Sequence, residues 1–209
     1  MSRDVSAPGG SLPLRARPLG QAAAVYGWLL LVVCMAQLWL YPALREPLHS
    51  RWIALVVQVS VYLVLAAPVL LWFPDTLRRL RAPRWQLAAG LAAVIAALAY
   101  QAIAHQAGTA QLADQAVTLG VTGFTEELLF RGFLWDRCRA AGLGTLLVIA
   151  VSALAFAALH LPQVLAQNRD MIDLAYDAAL GLGLGVVRVW SGNVALPGLL
   201  HTAWDLFGF

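Results

Sequence analysis

Apolar residues run along this chain in blocks of about 17 to 25, the length a helix needs to cross the hydrocarbon core of a bilayer. The blocks cover residues 21–42, 52–74, 85–104, 116–137, 144–161, 172–190 and 194–209, and the last two are short and rich in glycine. The pattern predicts an all-α fold, a polytopic transmembrane helix bundle of about seven spans. Residues 1–20, "MSRDVSAPGGSLPLRARPLG", offer nothing to bury and predict a flexible N-terminal tail. Residues 21–209 then form a single transmembrane domain. The first apolar block follows Arg15 and Arg17 as a signal peptide would, but it is too long for an h-region and no A-x-A site follows closely, so it is read as an anchor. No internal repeat of the inverted-transporter kind is visible.

Composition sharpens this picture. The chain is 61% hydrophobic and 12% charged, which excludes an ordinary soluble domain. All 14 basic residues are arginine, and with abundant alanine and leucine this reads as the mark of a GC-rich, bacterial genome, placing the protein in the inner (cytoplasmic) membrane. The formal charge of +3 does not point to nucleic acid, because the arginines are scattered among loops instead of forming one basic face. Their better use is to set topology. With a cytoplasmic N-terminus, Arg3, Arg15, Arg17, the "RRLRAPR" loop, Arg131, Arg137, Arg139 and Arg188 fall inside, and Arg45, Arg51 and Arg169 outside. Cys34 and Cys138 start far apart and suggest packing, neither a disulfide framework nor a thiolate metal site. His49 and His105 fall in predicted loops and are read as solvated.

The ionisable residues inside the blocks carry the chemistry. A charge at mid-bilayer costs from about 2.5 kcal/mol upward, so such groups face a protein interior or a wet cavity. The fourth span holds "TEELLFRGF", with Glu126, Glu127 and Arg131. Glu127 and Arg131 are four apart, share a helix face and can pair. Glu126 is turned about 100° from Glu127 and cannot use that arginine in the same way, which leaves it available as a base. The bland alternative is a buried ion network that fixes packing. The fifth span ends in "FAALH", with Phe156 and His160 four apart; the seventh contains "HTAWD", with His201 and Asp205 at the same spacing. Such a His/Asp pair could bind a metal, orient a base or stabilise an oxyanion. Asp177 has no motif partner, and Gly181 and Gly185 read as a close helix contact.

Taken in order, "EELLFR", "FAALH" and "HTAWD" give E-E-x-x-x-R, F-x-x-x-H and H-x-x-x-D on three apolar helices. This set resembles the CPBP family of intramembrane proteases, also called the Abi or CAAX-protease family, which includes the eukaryotic Ras-converting enzymes. The resemblance covers roughly residues 115–209. It implies peptide-bond hydrolysis within or beside the membrane, with Glu126 activating water, His160 binding or polarising it, and Glu127 and Arg131 in support. His201 and Asp205 would lie where the oxyanion forms. Asp205 departs from the family, in which Asn is common at that position; an ionised carboxylate cannot donate to an oxyanion, so Asp205 is read as orienting His201, ahead of the alternative that it is protonated in its apolar setting.

Zinc is chemically possible with such ligands, but no H-E-x-x-H helix is present and a glutamic-type mechanism needs no cofactor. The expected partners are the lipid bilayer and a membrane-anchored protein or peptide substrate, with leader or C-terminal signal processing as the task. In the N-in arrangement His160 falls near the outer face and Glu126 near mid-depth, so the cavity would open outward. The rival readings are a proton- or ion-coupled transporter, which would use the same acids and histidines as a relay, and a non-catalytic scaffold or immunity protein of the same fold.

Overall fold

The computed structural model describes residues 16–44 and 50–208, and all regular structure among them is helical. The order is α1 (Ala16–Met35), a π-helical turn (Ala36–Leu40), α2 (Tyr41–Ala43), α3 (Arg51–Trp72), a 3-10 helix (Pro74–Leu80) and α4 (Arg84–Ala104). There follow α5 (Thr109–Glu127), a π-helix (Leu128–Leu134), α6 (Trp135–Ala140), α7 (Thr145–Ala166), α8 (Ile172–Ser191) and α9 (Ala195–Phe207). Each predicted span therefore coincides with a helix. Residues 16–20, expected in the tail, form the first turns of α1; Pro18 is tolerated there because the first-turn amides need no helical acceptor. Residues 1–15 of the expected tail, Arg45 and His49 lie outside the described residues.

Two boundaries moved for physical reasons. The fourth helix starts at Thr109, seven residues before the expected 116, since Gly108 in extended conformation ends the preceding turn. The fifth runs on past His160 to Ala166 with Pro162 inside it.

Among the described residues, four helices are long and apolar enough to cross a membrane, those within 17–43, 52–72, 84–104 and 145–166. The predicted spans 116–137, 172–190 and 194–209 fall on helices that do not meet that measure. The α5 to α6 run carries Asp114, Glu126, Glu127, Arg131, Asp136, Arg137 and Arg139, and α8 carries Asp173, Asp177 and Arg188. α9 has 13 residues, about 20 Å at 1.5 Å per residue. The polar helices need less apolar surface because they are sheltered: α9 packs on α4 and α5, α8 on α7, and α5 on α3. The outer helices instead turn large apolar side chains outward, as at Ile103, Leu146 and Leu71. An integral membrane helix bundle results, with its polar groups at the centre.

Close approach at the centre depends on small residues. A Cβ on Gly181 would lie 2.9 Å from the Ala153 Cα, and one on Gly185 3.0 Å from Ile149. These two glycines therefore seat α8 on α7 as their spacing suggests. Gly123 meets Thr202 and Gly198 meets Phe124, which seats α9 on α5. Asn193 prepares α9: its Oδ1 accepts the Leu196 amide at 3.0 Å and its Nδ2 reaches the Gln86 Oε1 on α4.

Candidate active site

Glu127 and Arg131 lie on consecutive turns of the run from α5 into the π-helix and pair at 2.8 Å, both wholly buried. Arg131 also donates from Nη2 to the Gly181 carbonyl at 2.7 Å, and its guanidinium stands 5.0 Å from the centre of the Phe156 ring. The Glu127 Oε1 that receives Arg131 also lies 3.2 Å from His201 Nδ1. One carboxylate oxygen thus joins the fourth-span motif to the seventh.

Glu126 faces the other way, as the 100° rotation requires. Its Oε1 accepts the Tyr62 hydroxyl of α3 at 3.0 Å, and one turn earlier Gln58 donates to Thr122 at 3.3 Å. The shared offset sets α3 parallel to α5 and fixes the height of Glu126. The other oxygen, Oε2, is buried without a hydrogen-bond partner among the described residues and lies 3.8 Å from His201 Nε2. His201 Nε2 is also 3.6 Å from Asp205 Oδ1, so three carboxylates surround the ring. Glu127 makes the shortest of those contacts, whereas the sequence pattern pointed to Asp205 as the orienting group.

His160 joins this cluster through Phe156. Its Nδ1 is 3.0 Å from the Phe156 carbonyl, and its ring packs at 4.7 Å on the Phe156 ring. Phe156 meets His201 edge-on at 5.4 Å and Phe130 at 5.5 Å. A carbonyl only accepts, so Nδ1 carries a proton in this contact, and in the neutral tautomer that makes it the lone pair lies on Nε2. The structure brings Glu126, Glu127, Arg131, His201 and Asp205 into direct contact and sets His160 beside them across one aromatic ring. Asp177 is half-buried on α8, one turn before Gly181.

Three contributors escape the motif reading. Tyr62 and Gln58 are polar positions four apart in a mostly apolar span, a spacing that could have marked them. Arg188, assigned to a cytoplasmic flank, is instead buried at 6% exposure. It donates from Nε to the Arg131 carbonyl at 3.0 Å and lies over Trp135. That carbonyl lies within the π-helix, whose widened turn lets a side chain reach the backbone. Cys138 is buried and Cys34 half-buried, both as free thiols.

Among the described residues, no group of three or more His, Cys, Asp or Glu side chains has the placement of a metal site. A buried carboxylate with one oxygen anchored and the other open, facing an imidazole, suits activation of water and support of a developing oxyanion. Residues 106–207 match the family model described as Rce1-like, type II CAAX prenyl endopeptidase Rce1-like. Neither the search of curated proteins nor that of solved structures returns a match. Every motif residue lies inside the matched segment, and residues 106–207 of this chain are a domain of the CPBP/CAAX family of intramembrane proteases.

Proposed function

We propose that the protein is a glutamic-type intramembrane endopeptidase in which Glu126 is the general base. The observation that carries this reading is the division of labour between the two Glu126 oxygens: Tyr62 holds Oε1, and Oε2 is buried and open towards His201. Oε2 takes a proton from water as the oxygen attacks the scissile carbonyl. Doubly protonated His201 donates Nδ1–H to Glu127 and presents Nε2–H to the oxyanion. Collapse of the tetrahedral intermediate breaks the C–N bond, and the proton on Glu126 passes to the leaving amine. The lone pair on His160 Nε2 receives a hydrogen bond from the attacking water. Glu127 and Arg131 hold His201 from behind, and Asp205 flanks its Nε2 side. No metal is required for these steps.

The proposed substrate is a membrane-anchored protein or peptide, cleaved in leader or C-terminal signal processing. The protein would sit in a bacterial inner membrane with its N-terminus in the cytoplasm, as the arginine distribution favours.

Reconstitution of the purified chain with candidate anchored peptides tests the base. Glu126→Gln keeps an oxygen for Tyr62 and removes the basic site, so cleavage should fall by about 10²- to 10⁴-fold. A variant that cleaves at the wild-type rate would refute the assignment. A chelator should leave cleavage unchanged; loss of activity restored by added zinc would overturn the metal-free route.

A further inference from the structure

Two concavities meet at the end of the bundle that carries the "RRLRAPR" loop. One is a groove of about 520 Å³ between α1 and α3, lined by apolar side chains that include Val25, Trp28, Pro68 and Leu71. The other is a polar hollow of about 600 Å³ lined by Asp75, Arg78, Arg79, Asp136 and Arg137. Trp72 and Phe73 line both, so the apolar groove and the charged hollow share an aromatic wall. Trp72 is 71% exposed, at a helix end where such rings mark the membrane interface.

The charges in the hollow do not cancel. Asp75 pairs with Arg78 at 3.3 Å and Asp136 with Arg79 at 3.1 Å. Arg137 has no carboxylate partner among the described residues. Its Nη1 donates to Gln21 Oε1 at 3.0 Å, its guanidinium lies 5.2 Å from the Phe73 ring centre, and its Nε is buried without a hydrogen-bond partner. Gln21 and Phe73 both line the apolar groove, whereas Arg137 lines the hollow. The uncompensated cation therefore stands at the junction of the two chambers.

We propose that this two-chambered cleft binds an anionic glycerophospholipid, with an acyl chain in the groove between α1 and α3 and its phosphate against Arg137. The boundary between apolar and polar walls matches the boundary within such a lipid. Beyond the one N–H given to Gln21, the Nη donors of a guanidinium match two phosphate oxygens in a way a point charge does not. With two ion pairs satisfied internally, one positive charge remains, which favours a headgroup of net negative charge over a zwitterionic one.

The purified full chain in neutral detergent is titrated with dioleoylphosphatidylglycerol and separately with dioleoylphosphatidylcholine, read by native mass spectrometry and by the shift in Tm. The anionic lipid should bind about fivefold more tightly, the effect of roughly one basic residue near a headgroup. Arg137→Gln should remove that preference, and Trp72→Ala should weaken both lipids. Arg81→Gln removes an equal charge from the same end of the bundle outside the hollow and should keep the preference. Equal binding of the two lipids by the unaltered chain overturns the proposal, as does an equal loss in the Arg81 and Arg137 variants. The first comparison and the Arg81 variant decide the matter even if Arg137→Gln fails to fold.

Discussion

At the level of single side chains, the two adjacent glutamates carry equal charge into the same interior and meet different partners. Glu127 is bound by Arg131 at 2.8 Å and lies against His201, whereas Glu126 has one neutral donor, Tyr62, at 3.0 Å. A carboxylate held by an arginine is a poor base, because abstraction of a proton would cost it that pairing. Tyr62 constrains the Glu126 carboxylate without neutralising it. Tyr62→Phe fills the same space and releases the carboxylate to rotate. A hydrogen bond to a charged group contributes about 1.5–3 kcal/mol, so Tm should drop and kcat should fall roughly 10- to 100-fold while KM stays near wild type. An unchanged kcat in a peptide-cleavage assay would show that the hydroxyl has no positioning role. The separation of the glutamates was legible in the sequence, since it follows from helix geometry alone. Tyr62 was not singled out because a tyrosine in an apolar span is also an ordinary packing residue, and its partner lies 64 residues away.

Between elements, the feature that fixes the site is a reciprocal arginine clasp. Arg131 reaches from the π-helix to the Gly181 carbonyl on α8, and Arg188 reaches from α8 back to the Arg131 carbonyl. Gly181 and Arg188 are seven apart, two turns on one helix face, so both clasps bear on the same contact. The motif spacing anticipated the Glu127–Arg131 pair and the glycine contact. It could not anticipate the π-helix, in which the backbone pattern changes without any sequence marker, or the burial of Arg188, since an arginine at a span end looks the same whether it flanks the membrane or turns inward. Gly181→Ala tests how close the contact must be. The added methyl would lie 2.9 Å from backbone and 3.2 Å from Arg131 Nη2, so the helices must separate. Overpacking of this kind costs about 1–3 kcal/mol, seen as a lower Tm together with reduced cleavage. Gly183→Ala, which meets nothing within 4 Å, is the control and should retain both. A Gly181→Ala protein as stable and active as the control would mean that α7 and α8 tolerate the wider spacing.

Across the whole molecule, the sequence located each helix, and among the described residues four are long and apolar enough to stand as spans by themselves, because apolar block length reports lipid contact only for helices that face lipid. α9 is short and mostly enclosed, so its apolar residues contact other helices. Orientation remains a question of charge, and the corrected position of Arg188 weakens the inside count by only one residue. Arg78, Arg79, Arg81, Arg84, Arg137 and Arg139 still gather at the end of the bundle where α3 stops and α4 begins. Positive charge in short loops is retained on the cytoplasmic side, so that end should face inward and the α4–α5 turn outward. With Cys34 and Cys138 replaced by alanine, a single cysteine at Arg81 and another at His105, both exposed positions, report the two faces. In intact cells a membrane-impermeant maleimide should label His105→Cys, and Arg81→Cys should react only after the membrane is opened. The reverse pattern would turn the bundle over, move the lipid cleft to the outer leaflet and place His160 on the cytoplasmic side of Glu126.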